Sequence, residues 1–230
     1  TEIRFGNRPV FTVNGKAIIG VPISQEPGEA AIDFRLENRS KKEIFRVKKK
    51  NYTEQRITLA DTKMVSPPTK ELERIRKESA AQKAVYASFT PQIDLSPGFI
   101  MPLEGRKTSL YGHRRFFNDV PRSPHSGLDI AAPTGTPIVA PGPGRVALRG
   151  DFYFNGKTIL LDHGQGLITM YCHMSEYMVE EGEFIDQGQM LGLVGSTGRS
   201  TGPHLHWSVS LNNFRIDPLE FLPAVNQALK

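Results

Sequence analysis

The sequence predicts a mainly β chain of α+β class: a C-terminal antiparallel β-sheet domain and a small N-terminal β-sandwich, joined by a helical connector. Three observations carry this. Short β-prone runs between Gly, Pro and Asn breaks fill the first sixty residues. One long stretch without such breaks follows Ser66-Pro67-Pro68. From about Ser96 the chain returns to short strands punctuated by Pro141-Gly142, His163-Gly164 and Gly195-Ser196. The division expected is residues 1–65 for the sandwich, 66–95 for the connector and 96–230 for the second β domain.

In the first part, Val10–Val13, Ala17–Ile23, Ala31–Leu36 and Ile44–Lys48 read as strands, with breaks at Asn14-Gly15, Pro27-Gly28 and Asn38–Ser40. Ile32, Phe34 and Leu36 alternate with Ala31, Asp33 and Arg35, so one face is buried and the other wet. Thr69 is placed to cap a helix with Glu71 in its first turn, running to about Ser88. Leu72, Ile75, Val85, Tyr86 and Phe89 give it an intermittent apolar stripe for docking. The later strands expected are Ile138–Ala140, Gly144–Arg149, Thr158–Leu161, Ile168–His173, Phe184–Ile185, Met190–Val194 and His204–Leu211.

Composition narrows the function. With 38% hydrophobic and 23% charged residues the chain is globular, and no apolar run approaches the roughly 20 residues of a membrane span. It begins Thr1-Glu2-Ile3, without an initiator Met or the blocks of a secretory signal, as a mature or trimmed form would. The single Cys172 excludes an internal disulfide framework; it shares strand parity with Ile168 and Met170 and reads as a buried small hydrophobe. The net charge of +5 is concentrated early: residues 35–56 hold nine Lys/Arg against three Glu, and residues 100–230 hold eleven against twelve Asp/Glu. The basic N-terminal run suits either a solvated strand face or contact with an anionic polymer. With only Phe45 and Tyr52 as aromatics there and no nucleic-acid motif, no nucleic-acid partner is expected.

The chemistry concentrates after residue 110. In His204-Leu205-His206-Trp207-Ser208-Val209-Ser210-Leu211, strict alternation sets His204, His206, Ser208 and Ser210 on one face and an apolar set on the other. Two imidazoles two residues apart on a strand have Cα atoms about 6.6–7 Å apart. One can bind a metal while the other reaches a water or substrate on it. Alone, the pair is only moderately specific, and two exposed sheet histidines explain it as well. His125 and Asp129 would stand about 13 Å apart in an extended chain, too far for one ion, so the backbone must bend, with Gly127 the cheapest place. His173 ends its strand on the parity of Tyr171 and Thr169, facing away from the Ile168–Cys172 set. Two His and one carboxylate with an open position is the arrangement of catalytic zinc sites, and spare histidines nearby suit proton transfer.

Tyr111-Gly112-His113-Arg114-Arg115, His125 through Pro137, Tyr171-Cys172-His173-Met174 and Gly195 through His206 together resemble the lysostaphin-type (LytM-type) zinc metallopeptidases, over about residues 105–222. The resemblance implies one zinc ion bound by His125, Asp129 and His206, with His173 and His204 catalytic. It also implies peptidoglycan as substrate, a zinc metalloendopeptidase cutting peptide cross-links, and an extracytoplasmic address in the periplasm or cell envelope. No motif residue is missing, which argues against the alternative of a non-catalytic wall-binding or amidase-activating module. Either D-alanyl cross-links or glycine bridges would suit the chemistry.

On that reading His204 is the expected general base and His173 the donor to developing negative charge. His113 and His163 are expected to be structural or exposed. Arg114 and Arg115 could orient a peptide carboxylate, with plain surface charge the commoner explanation. Glu180 through Gly192 resembles a biotinyl or lipoyl carrier segment, but no Lys lies between Lys157 and Lys230 to be modified.

Overall fold

A computed structural model describes residues 2–36 and 39–230. Of the break expected at Asn38–Ser40, Asn38 lies outside the described residues. Strands Arg8–Pro9, Glu2–Phe5, Gly28–Leu36 and Arg39–Val47 pair in that order as an antiparallel sheet. Phe11–Val13 and Lys16–Ile18 form a hairpin around Asn14-Gly15, both at positive φ (48° and 71°), the pairing two-residue hairpin turns favour. Phe11 and Val13 of this hairpin enter the main core of the molecule. Glu54–Ile57 then runs parallel to Arg114–Phe117, an early strand paired with a late one that local pattern does not foretell.

Helix α1 spans Thr69–Ala87. Thr69 is its first residue rather than its cap: Pro68 holds the cap position and no side-chain cap bond forms, leaving Glu71 to face the free N–H groups. Its expected stripe is only partly used, because Leu72 and Phe89 are exposed. Docking falls to the C-terminal end, where Tyr86 is buried and its hydroxyl donates to Met170 Sδ at 2.9 Å. Further up, polar ties serve instead: Arg74 Nη2 to Asp151 O at 2.9 Å, and Tyr153 N to Glu78 Oε2 at 2.8 Å.

The main sheet has ten strands. Its path runs Phe184–Ile185, Gly144–Phe152, Gly156–Asp162, Ile168–Tyr177, His204–Leu211, Leu128–Ala131 and Arg106–Ser109. Pro137–Val139, Met190–Val194 and Phe214–Ile216 add to its sides. Leu128, Ile130, Tyr171, Leu205, Trp207 and Val209 share one face and are wholly buried in the main core. Helix α2, Pro218–Leu229, closes that core with Phe221, Val225 and Ala228, after an Asp217 cap that accepts from Leu219 N. Among the described residues, no helix is long and apolar enough to cross a membrane.

The opposite face of the central strands is covered too. Register pairs Asp129 with His206, Cys172 with His206 and Met170 with Ser208, so these groups stand on one face. At one end Met170 and Cys172 pack under Tyr86; at the other the polar groups gather. The expectation that Tyr171 and Thr169 face away from the core is overturned, since both are fully buried. Cys172 is buried, as its neighbours implied, and burial pushes its thiol up to about 12.

Candidate metal centre

His206 and Asp129 meet because their strands pair in antiparallel register, residue opposite residue. His125 joins them from the turn before Leu128, held at its backbone by His125 N to His113 O (2.9 Å) and Gly112 N to His125 O (2.8 Å). Gly127 permits that approach for a reason other than bending freedom. A Cβ there would overlap the carbonyl of Trp207 and lie 2.7 Å from Ser208 Oγ and 3.0 Å from His206 Cε1.

The result is a tight triangle of donor atoms: His125 Nε2 to Asp129 Oδ1 2.9 Å, His206 Nδ1 to Asp129 Oδ1 2.7 Å, and His125 Nε2 to His206 Nδ1 2.9 Å. Neighbours decide the tautomers. His125 Nδ1 lies 2.8 Å from Leu110 O, which can only accept, so the proton sits on Nδ1 and Nε2 is a lone pair. Ser208 Oγ donates to Ser126 O and therefore accepts from His206 Nε2 at 2.9 Å, leaving His206 Nδ1 unprotonated. Burial lowers the pKa of His125, and that of His206 to about 4, so both rings stay neutral near pH 7.

Three unprotonated donors within 2.9 Å repel one another unless a cation lies among them. The set of two imidazoles and a carboxylate is one that borderline divalent metals take, and all three residues are buried. To receive zinc at about 2.0–2.1 Å in a tetrahedron, the donors need to part by about half an ångström. The residues present therefore fit a metal.

Sequence reasoning missed the support behind this triangle. Arg115 is mostly buried, and its Nη2 donates to Asp129 Oδ2 at 2.5 Å and to Ser109 Oγ at 3.0 Å. Its Nε reaches Gln55 Oε1 at 3.1 Å, and Ser109 Oγ donates to the same oxygen at 2.8 Å while lying 3.0 Å from His125 Nδ1. The reading of Arg115 as plain surface charge is thus corrected; Arg114 does lie at the surface, on Glu54. A bulky cation three residues after Gly112 gave no local sign of this, because the contact depends on the long-range pairing of Arg114–Phe117 with Glu54–Ile57.

His173 and His204 stand beside the triangle, their ring centroids 4.7 Å apart and His173 6.3 Å from His206. His173 departs from strand geometry with φ 64°, a conformation uncommon outside Gly and often found at functional sites. That local turn, rather than strand parity, brings its ring to the centre. His173 Nδ1 donates to Thr197 O and His204 Nδ1 to Gly202 O, both at 2.8 Å. Each neutral ring therefore keeps Nε2 as its unprotonated nitrogen. Burial lowers His173 to about 3, with the neighbouring His204 and His206 adding to the effect. His163, by contrast, uses both nitrogens in the core, Nδ1 on Pro143 O (2.5 Å) and Nε2 on Thr169 Oγ1 (2.7 Å).

Two cavities meet at this centre. One of about 340 Å³ is bordered by Gln55, Leu59, Thr108, Asp129, His173 and His204. The other, about 510 Å³, lies on the His125 and His206 side. Arg115, Phe117, His173 and Arg199 border both.

A buried His, Asp and His triangle flanked by two further imidazoles stands on the antiparallel sheet, and residues 123–218 match the model of peptidase family M23. The chain belongs to that family. It is 39% identical to a crystal structure from Pseudomonas aeruginosa assigned to peptidase M23, over 97% of this chain and 88% of that one, with a TM-score of 0.77. A zinc-containing peptidase from Vibrio cholerae is 30% identical, with a TM-score of 0.50 over 58% of this chain and 40% of that one. Among curated relatives, the DD-carboxypeptidase/endopeptidase Mpg of Neisseria meningitidis serogroup B is 38% identical over 109 residues, 46% of this chain and 25% of that protein. The peptidoglycan DD-endopeptidase ShyA of Vibrio cholerae serotype O1 is 40% identical over 87 residues, 38% of this chain. The match spans about a quarter of the first of these proteins and 20% of the second.

Proposed function

We propose that the chain is a zinc metalloendopeptidase that hydrolyses peptide cross-links of bacterial peptidoglycan outside the cytoplasm, in the periplasm or cell envelope. One observation carries the chemistry: three unprotonated donors converge beside two imidazoles that each keep a free Nε2. Peptidoglycan enters through relatives named as peptidoglycan DD-endopeptidases. Zinc held singly by His125, Asp129 and His206 supplies Lewis-acid chemistry, acidifying water and polarising a carbonyl.

The chain's own residues do the rest. Arg115 holds Asp129 Oδ2 and so turns Oδ1 to the centre. Leu110 O and Ser208 Oγ keep both ligand imidazoles in the tautomer that presents a lone pair. His204 Nε2 acts as general base, taking the proton that leaves water, and the imidazolium so formed passes it to the departing amine nitrogen. Neutral His173 gives its only N–H to Thr197 O, so its Nε2 stands as a second proton acceptor beside that of His204 rather than as a donor to the developing oxyanion. Gln55, Ile57 and Leu59 line the smaller cavity, which supports a role for the N-terminal region in framing the cleft. The basic strand Arg39–Val47 offers a contact for an anionic wall polymer.

The test is digestion of purified sacculi of known cross-link type, with and without chelator, followed by mass spectrometry of the released muropeptides. Zinc-dependent conversion of cross-linked dimers to monomers is expected. Intact dimers after incubation with zinc-loaded protein would remove the reading.

A further inference from the structure

The larger cavity carries an unusual charge. Arg115, Arg122, Arg199 and Arg215 all border it, and no Asp or Glu does. Among the described residues only Arg115 of these four has a carboxylate partner, Asp129. Arg199 is clasped between Phe117 and Phe154, its Cζ 4.5 and 4.4 Å from the two ring centroids, and its Nη1 makes one bond, to Met64 O at 3.3 Å. Arg122 donates from Nη2 to the Val65 carbonyl, while its buried Nε has no partner. Arg215 stacks on Tyr86, its Cζ 3.0 Å from the ring centroid.

Aromatic stacking and a carbonyl or two fix where these guanidiniums stand without matching their charge. Burial, together with the positive charges of Arg115 and Arg122, lowers Arg199 to about 10, so the three act on one another. Like charges gathered in a partly desolvated cavity are unfavourable unless an anion answers them. A planar guanidinium fork matches a carboxylate in shape as well as charge. The cavity adjoins His125, His173 and His206, where a peptide amide would be cut, so the anion that fits is one the peptide itself bears.

We propose that this cavity is a subsite for a free carboxylate on the substrate peptide, with Arg199 its main ligand and Arg122 and Arg215 its support. The inference rests on the peptidase reading and deepens it. The chain selects acidic peptides, whose carboxylate lies near the scissile amide, over uncharged glycine bridges. Arg199 then sets specificity, since it borders both cavities and stands where one arm of a cross-linked peptide passes into the other.

Isothermal titration of the zinc-loaded protein with an acetylated peptide ending in D-alanine, and with its C-terminal amide, tests this. A charge-assisted pair predicts about 10- to 100-fold tighter binding of the acid. Arg199→Gln should bring the two within about threefold, and Arg122→Gln, which disturbs no stacked pair, should narrow the gap by several-fold. Equal affinity of the wild type for acid and amide, binding of neither, or an undiminished preference in both variants would overturn the subsite. The peptidase reading fails separately, if zinc-loaded protein binds the acid selectively yet leaves every cross-linked peptide intact.

Discussion

The two pairs of imidazoles at the centre are made differently. His206 owes its place to strand register, and His125 to backbone bonds with His113 and Gly112 and to the Leu110 carbonyl, with side chains that are themselves tied down around both: Asp129 opposite His206, Ser208 beneath it, and Arg115 with Ser109 and Gln55 behind. His173 and His204 are oriented by loop carbonyls, Thr197 O and Gly202 O, and His173 also needs a strained backbone. Both pairs have one nitrogen fixed and one free. The first pair has its free nitrogens pressed onto a carboxylate, which suits holding an ion; the second has them clear, which suits exchanging protons. His163 completes the contrast, because both its nitrogens are engaged and none is left for chemistry.

The largest effect expected from that difference is on turnover. His204→Ala and His173→Ala should each lower the rate of cross-link cleavage about 10²- to 10⁴-fold while leaving bound zinc in place. Loss of zinc from either variant, seen by elemental analysis, would erase the distinction between the pairs.

A second effect concerns His163. Burial lowers its pKa to about 4 against an ordinary value of 6.5, so the unfolded chain binds the proton more readily than the folded one. Its contribution is present above pH 6.5 and is lost as pH falls toward 4, by up to about 1.4 kcal/mol per pH unit. Unfolding measured from pH 7 to pH 4 should show the stability gap between wild type and His163→Asn narrowing as the pH drops. A gap that stays constant would mean that the ring charges as easily inside the protein as outside it.

The smallest effect tests the support behind the ligand pair. Arg115→Gln removes the partner of Asp129 Oδ2 and should weaken zinc binding about 10- to 100-fold, as losses of such outer partners generally do. Competition with a calibrated chelator measures it. Unchanged affinity would show that strand register alone holds Asp129.

Much of this centre was legible in the sequence because its geometry is local. Alternation in His204–Leu211 placed His204 and His206 on one face, and the apolar Leu205, Trp207, Val209 and Leu211 are buried in the core as that pattern requires. The positions of Phe184–Ile185, Met190–Val194 and His204–Leu211 also follow from local pattern. What stayed hidden depends on partners far along the chain. Met170 and Cys172 lie beneath α1 because Tyr86 comes from another part of the sequence. Arg115 reaches Asp129 from a strand whose parallel partner starts at Glu54, far back in the chain. The backbone at His173 breaks the period-two rule at the residue where orientation matters most. Helix α2 lay outside what the sequence analysis assigned, although Phe221, Val225 and Ala228 have helical spacing; Pro223 interrupts the segment.

Zinc stoichiometry in His206→Ala set beside His204→Ala addresses the central claim most directly, since these neighbours on one strand differ in which nitrogen the fold leaves free and where it points. The account predicts about one ion per chain in His204→Ala and none retained by His206→Ala after dialysis. Full occupancy in His206→Ala would contradict it.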